Sequence, residues 1–595
     1  MNDTRWSRRR LMGSAGVAGV ALAGTGVIAA RDQTNVVSAQ DNAGTPAGTP
    51  APLGGPVPDE FGVETNWPGE NYDLGATRDV KGTSISSETV GQLGLAWSYD
   101  ISSSGLFGAL TANPSVVGET VFVQDANANI YALDKTTGEE VWLNQYDDVV
   151  PSGGPNGVAG AYGLLFTTLG GFGDVVALRP DTGEEVWRTN IKGPRNEGIT
   201  TFPAVHDNLI WVSTIPGSSD DFYAGGQRGV IYALDAADGR VVWYFDTTTD
   251  NLWGNPTVNS GGGFWHPPSF DADGKAYVPI ANPAPYPGVE GFPWGSSRPG
   301  DNLYTDCILK MDPETAKLDW YHQVRPHDLF DLDNHLTPVL ATVDGQDVVF
   351  TSGKHGYVVS LDRESGEVIW QVPVGTHQND DVTDPGVDDS IEVFPGTLGG
   401  VETSMAFSDD AQLLICPVVN LGSTYTGTGF DPDAPFDFTA GTGQLIALNP
   451  SDGTVVWSVD LPTPAYAAAT ICNDVVFTAG LDGVVLGFSL DDGSEVFRYQ
   501  ASAGINAQLA VSGDYLYLAA GGVLLPSPNQ SAGAPEKPKF QVVALRLGGE
   551  TSATPEAGGG ATPGALPTPG SEAGGNTPGG APATPEPDGD STPAS

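Results

Sequence analysis

Residues 132–142 read A-L-D-K-T-T-G-E-E-V-W, and their recurrence along the chain limits its fold more than any other feature. The shared pattern is a small residue, an apolar one, often Asp, a short polar turn ending in Gly, then three residues and an aromatic. Copies stand at 177–187, 233–243, 310–320, 360–370, 447–457 and 487–497. Periods of roughly 40–50 residues built from short strands predict a propeller or another closed array, because one such unit cannot bury its apolar face alone.

The aromatics that end the copies are Trp97, Trp142, Trp187, Trp243, Trp320, Trp370, Trp457 and Phe497. Trp97 has no Ala-Leu-Asp ahead of it, and Ala544-Leu545 has no Trp behind it, so one blade is split between the two ends of the chain. The expectation is an all-β, eight-bladed β-propeller closed by its N- and C-terminal strands, which pairs the edges an open array leaves exposed. Flanks such as Val230-Ile231-Tyr232 suit a strand. The turn glycine takes φ > 0 without steric cost, and each Trp supplies apolar area between neighbouring sheets, about 2–3 kcal/mol per site.

Composition bounds the function. The 595 residues carry 73 acidic and 25 basic side chains, a formal net charge of −48. Phosphate backbones are repelled at every approach, so nucleic acid is excluded as a partner. A solvated acidic surface and a surface that steers a basic electron-transfer partner both remain open. Ser7-Arg8-Arg9-Arg10-Leu11-Met12 before a Gly/Ala-rich apolar stretch reads as a twin-arginine export signal over 1–39, cut near Ala39 or kept as an anchor. After signal removal no transmembrane segment is expected, and the protein is periplasmic, extracellular or at the cell surface. Residues 40–65 form a low-complexity linker, 66–547 the propeller, and 548–595 a disordered Gly/Pro/Thr-rich tail. Cys307, Cys416 and Cys472 build no disulfide framework, and no C-x-x-C-H haem site occurs.

The long gaps in the repeat run from Trp243 to Trp320 and from Trp370 to Trp457, and loops of that size on a tight scaffold carry function. The first holds Gly261-Gly262-Gly263-Phe264-Trp265, Asn282-Pro283-Ala284-Pro285 and Arg298-Pro299-Gly300-Asp301-Asn302. Shortly after it come Pro326-His327-Asp328-Leu329-Phe330-Asp331-Leu332-Asp333 and Gly353-Lys354-His355-Gly356. In these motifs the chain strongly resembles the quinoprotein (PQQ-dependent) alcohol dehydrogenases, eight-bladed propellers that hold pyrroloquinoline quinone and a metal ion at the ring axis. The resemblance covers about 66–547.

The resemblance implies a role for each position. Trp265 is the aromatic floor for the quinone, and Asn282 gives its side-chain oxygen to the metal. Asp331 is the catalytic base and a metal neighbour, Asp333 a further metal carboxylate, and Lys354 the cation facing the quinone carbonyls. Asp at position 333 resembles the lanthanide-dependent branch rather than the calcium enzymes, so the ion is Ca2+ or a lanthanide. A hard cation prefers oxygen ligands and acts as a Lewis acid, a carboxylate can take a hydroxyl proton, and Lys354 can stabilise charge on the reduced ring. Asp331 and Asp333 are two apart, so on a regular strand both point one way.

Each position also has a plainer reading from the residues alone. Trp265 fits a loop plug, Asn282 a turn cap, Asp331 and Asp333 exposed charges, Lys354 a surface cation and His327 a structural hydrogen-bonding residue. There are departures from the family pattern too. Its metal-binding Glu, four residues before an Arg-Gly pair, falls on Ala224, with Asp220, Asp221 or Asp333 left to compensate. Its adjacent cysteine pair falls around 156–161, where no Cys stands; its carboxylate-gripping Arg falls on Tyr162, and 108–113 lacks the expected Glu.

The functional expectation is an exported oxidoreductase that oxidises an alcohol or aldehyde and passes electrons to a separate acceptor such as a cytochrome c. Ala224 and Tyr162 favour the alternative, a non-catalytic binding or scaffolding propeller, since the same repeat occurs in an outer-membrane assembly lipoprotein. An adhesive or carbohydrate-binding module would rest on the tails and on Tyr286 and Trp294. The insert at 376–443 is expected to cover part of the mouth of the site.

Overall fold

The computed structural model describes residues 66–550, apart from 106, 147–153, 194, 196, 218–222, 250, 387–389, 435 and 528–536. The export-signal reading, the linker up to residue 65, Asp220 and Asp221, and the tail from 551 lie outside the described residues.

The first repeat shows how sequence becomes sheet. Ser115–Val117, Thr120–Gln124, Ile130–Asp134 and Glu140–Asn144 form an antiparallel meander in chain order. Its middle strands are buried along nearly their whole length, whereas the outermost faces solvent. Seven further sheets of four or more strands follow among the described residues, making eight. In the eighth, Ala510–Ser512, Tyr515–Ala520 and Gln541–Leu547 are completed by the N-terminal strand Leu93–Asp100. The ring is therefore closed from both ends of the chain, as the split repeat predicts.

The repeat aromatics join the blades. Trp97 Nε1 donates to the carbonyl of Lys135 in the next blade's turn at 3.0 Å, Trp142 to Pro180 at 2.9 Å and Trp187 to Ala236 at 3.0 Å. Trp243, Trp320, Trp370 and Trp457 donate to Pro313, Arg363, Pro450 and Leu490 in the same way. The turn glycine of the receiving blade lies against the indole face. Gly453, at φ 72°, would place a Cβ 2.7 Å from Cε3 of Trp370. A single residue therefore needs a left-handed backbone and no side chain. The copy at 310–320 departs from the pattern: Ala316 holds the left-handed position at φ 55°.

The axis is floored by a segment that the repeat does not announce. Residues 67–80 give backbone hydrogen bonds to one blade after another: Trp67 pairs with Val116, and the carbonyls of Pro68, Leu74, Gly75, Thr77 and Arg78 accept from Gly160, Phe270, Leu340, Phe407 and Ile471. Arg78 is fully buried, donating to the carbonyls of Glu70, Ala469 and Leu509 and to Asn71, Gln508 and Thr470 side chains. All three cysteines are buried and free. Among the described residues no helix is long and apolar enough to cross a membrane.

Gly453→Ala is expected to destabilise the protein by about 2–3 kcal/mol, combining left-handed strain with a clash against Trp370. Gly513→Ala, also at positive φ but with open space around its Cβ, should cost only about 1 kcal/mol. Equal shifts of the two in urea denaturation would show that the indole contact contributes nothing.

Candidate functional site

Three consecutive glycines bring the chain to the centre of the ring. Gly261, Gly262 and Gly263 all have positive φ, and a Cβ on Gly262 would stand 2.1 Å from Thr247 Oγ1. This close passage delivers the half-buried Trp265. On one side of its indole lies Gly154, where a Cβ would come within 2.7 Å of Cε3, so glycine leaves room beside the ring. Ser260–Gly261 pairs with Pro283–Ala284, which fixes Asn282 next to the same passage, fully buried.

Arg298 explains why the Arg-Pro-Gly-Asp-Asn run accompanies the other motifs. Fully buried, it donates to Asn302 Oδ1 at 2.6 Å and, through its other terminal nitrogen, to the carbonyls of Pro285 at 3.1 Å and Asp328 at 2.5 Å. One guanidinium thus ties the Asn-Pro-Ala-Pro loop to the His-Asp loop. Asp328 in turn accepts from the backbone N–H of Phe330 and Leu332, which shapes the turn that carries Asp331.

Asp331, Asp333 and Lys354 come together and are buried. Lys354 Nζ stands 3.1 Å from Asp331 Oδ2 and 3.1 Å from Asp333 Oδ1. The convergence does not come from strand alternation: Asp331 lies in a loop with φ 63°, and that left-handed residue turns its carboxylate toward Lys354. Burial and then the neighbouring Asp333 charge push the Asp331 carboxyl up, against the pull of Lys354. Burial opposes ionisation of Asp333 as well, but Lys354 and His335 override it and hold this carboxyl low. Burial alone would lower Lys354; the two carboxylates raise it well above its ordinary value.

Further groups complete the centre. Thr397 Oγ1 donates to Asp331 Oδ2. Tyr223 hydroxyl donates to Asn282 Oδ1 at 3.0 Å. His335 lies between Asp333 Oδ1, 3.5 Å from Nδ1, and Glu402 Oε2, 3.6 Å from Nε2. Its ring faces that of His266 at 5.5 Å, and His266 Nδ1 reaches Glu70 Oε1 of the floor segment at 2.7 Å. Burial drives the Glu402 carboxyl well up despite Lys354. Sequence reasoning passed over Tyr223, Thr397, His335 and Glu402, because their link to the motifs exists only in three dimensions. Tyr223, one residue before the flagged Ala224, and His335, two residues after Asp333, had a signal nearby.

Several plainer readings are overturned. Asp331, Asp333 and Lys354 are buried rather than surface charges. Trp294 is buried edge-to-face against Phe330, its Nε1 donating to Gly386, and Tyr286 packs edge-to-face on Tyr223, so neither is a surface platform for a sugar. Tyr162 is buried between the second and third blades, its hydroxyl accepting from Asn208 N–H at 2.8 Å. His327 accepts its structural role, with Nδ1 3.1 Å from the carbonyl of Gly300. From the insert, Ile391–Val393, Ser423–Thr426 and Gly429–Phe430 form a small sheet. It packs on Leu329, Phe330 and Leu332, so the insert covers the loop that carries Asp331.

The centre suits a hard cation in its chemistry. Its donors are oxygens, and Asp331 Oδ1, Asp333 Oδ2 and Glu402 Oε1 are buried without a hydrogen-bond partner among the described residues. Such orphaned oxygens are costly unless something binds them. Ala224 is exposed, and among the described residues no three acidic, His or Cys side chains are grouped to hold a metal. The oxygen-bearing side chains that the motifs offer are thus those of Asn282, Asp331 and Asp333, all buried.

Known proteins share the fold that carries these residues. Residues 67–162 and 192–384 match the glucose/ethanol/alcohol dehydrogenase β-propeller domain, and 423–534 match the outer membrane protein assembly factor BamB. The quinohemoprotein alcohol dehydrogenase of Comamonas testosteroni is 26% identical over 526 residues, 74% of this chain and 70% of that protein. The quinoprotein ethanol dehydrogenase of Pseudomonas aeruginosa is 26% identical over 503 residues, 71% of this chain and 79% of that protein. Among solved structures, the Comamonas testosteroni enzyme superposes with a TM-score of 0.70 at 23% identity, covering 84% of this chain and 82% of that one. A europium-containing methanol dehydrogenase superposes with a TM-score of 0.64 at 21% identity, covering 82% and 98%. Repeat, closure and sequence match together show an all-β propeller similar to the quinoprotein alcohol dehydrogenases.

Proposed function

We propose that this protein is an exported oxidoreductase that oxidises an alcohol or aldehyde with pyrroloquinoline quinone and a calcium or lanthanide ion, passing electrons to a separate acceptor such as a cytochrome c. The observation that carries this reading is the buried triad of Asp331, Asp333 and Lys354, with both pairs at 3.1 Å and both carboxylates on a loop that Arg298 ties to the one bearing Asn282. A scaffolding propeller has no need to bury two carboxylates around one ammonium, since replacing such a group by packed apolar residues is often neutral or stabilising.

In this reading Trp265 offers the flat apolar face for the cofactor ring. Asn282 Oδ1 and the oxygen of Asp333 not paired with Lys354 would hold the cation, with the Asp331 carboxylate beside it. When bound, the quinone supplies the two-electron acceptor and the ion the Lewis acid that polarises it. Asp331 Oδ1 takes the proton of the substrate hydroxyl, while Thr397 and Lys354 fix the other oxygen of the same carboxylate so that it cannot rotate away. Lys354 also stabilises negative charge as it develops beside it. Arg298 keeps the two loops converged. The acidic surface and the twin-arginine leader fit an exported protein that meets a basic partner by electrostatic steering.

Reconstitution tests the whole reading. Protein incubated with quinone and Ca2+ or La3+ should bind the quinone and reduce a dye only when alcohol is added; failure with both ions would leave only a propeller scaffold. Asp331→Asn should retain the quinone and lose dye reduction by about 10²–10⁴-fold. Arg298→Gln should lower unfolding free energy by about 3 kcal/mol, through stranded carbonyls at Pro285 and Asp328, and weaken quinone binding in parallel. Unchanged melting would remove the clamp.

A further inference from the structure

The third blade reaches the candidate site through Tyr223, one residue before the position where the family pattern has an acidic ligand. Ala224 faces solvent. Tyr223, at φ 61°, turns its phenol inward, edge-to-face on Tyr286 with ring centroids 5.2 Å apart. Its hydroxyl donates to Asn282 Oδ1 at 3.0 Å, and Asn282 Nδ2 donates to the carbonyl of Pro283 at 3.3 Å.

A carboxamide has two ends of nearly the same shape, and only the oxygen end binds a hard cation. The two hydrogen bonds choose between them. Turning the Asn282 amide over would set Oδ1 against the Pro283 carbonyl, acceptor against acceptor, and would leave the Tyr223 O–H without its acceptor. A carbonyl oxygen has two lone pairs, so Oδ1 can accept from Tyr223 and still face an ion.

We propose that Tyr223 is a positioning residue that orients the Asn282 amide, so that the third blade serves the cation site through a neutral hydroxyl rather than an acidic ligand. This rests on the reading of Asn282 as a cation ligand. Groups that orient metal ligands typically contribute about 10–100-fold to affinity.

The test is calorimetric titration of the full chain with Ca2+ alone and with La3+ alone, comparing wild type with Tyr223→Phe, which keeps the ring on Tyr286. Affinity should fall about 10-fold or more, and Tyr223→His, which keeps a ring with an N–H donor, should recover part of it. The decisive background is Asn282→Asp. A carboxylate presents oxygen at both ends and needs no orienting donor, so there Tyr223→Phe should change affinity less than about 2-fold. Equal losses in both backgrounds, or no loss with Asn282 intact, would overturn the role of Tyr223 and leave the functional reading standing. If wild type binds neither ion, the cation reading itself falls.

Discussion

The fold depends on one repeated contact: an indole at the end of seven of the eight outer strands that donates its N–H to a carbonyl of the next blade's turn and, in six of the seven, lies on that turn's glycine. The contact is apolar and directional at once. Burying the ring supplies the energy, and the hydrogen bond fixes where along the neighbouring blade the ring must sit. Because the donor is on one blade and the acceptor on the next, the interaction passes around the ring instead of stabilising blades singly. Trp97 carries it from the N-terminal strand of the closing blade to the first blade. Phe497 has no N–H, and the blade it ends is the one joined by the parallel pairing of Asp79–Val80 with Ile471–Cys472.

A ring held at its periphery leaves the axis free for irregular chain, and two segments use that freedom. Residues 67–80 floor the axis with backbone hydrogen bonds to successive inner strands, while Arg78 satisfies acceptors from the seventh and eighth blades. Above them, Glu70, His266 and His335 connect floor to centre. The insert's small sheet packs on the loop of Asp331 from another direction. The site is thus enclosed by elements far apart in the chain, each anchored to a rigid blade.

Legibility in the sequence followed the range of the interactions. The repeat is local, so its strands, turns and closure could be read directly; even Ala316 obeys the backbone requirement without the expected glycine. Asn282, Asp331, Asp333 and Lys354 were legible only through the resemblance, since nothing in their spacing makes them converge. The argument from strand alternation gave the correct shared direction of Asp331 and Asp333 for the wrong reason, because one left-handed residue does what a strand was expected to do. Tyr223, Thr397 and Glu402 come from three separate segments, and no pattern within any one of them points to the centre. Trp294 and Tyr286 looked like surface aromatics because long loops are usually exposed; here the loops pack on one another.

The placement of Lys354 decides how the centre can be charged. Its ammonium stands 3.1 Å from both Asp331 Oδ2 and Asp333 Oδ1, and Asp331 Oδ1 and both oxygens of Asp333 are buried without a hydrogen-bond partner among the described residues. Two positive charges about 4 Å apart repel by about 1 kcal/mol in water and several times that near protein. A metal ion therefore cannot share the oxygens that Lys354 holds. Asp333 Oδ2, which Lys354 does not hold, is the carboxylate oxygen that would remain open to an ion. With Lys354 present the two carboxylates and the amide carry a net charge of about −1, enough to draw in a cation and too little to neutralise a trivalent one. An anionic group bound above Trp265 would strengthen the hold on the ion without being required for it.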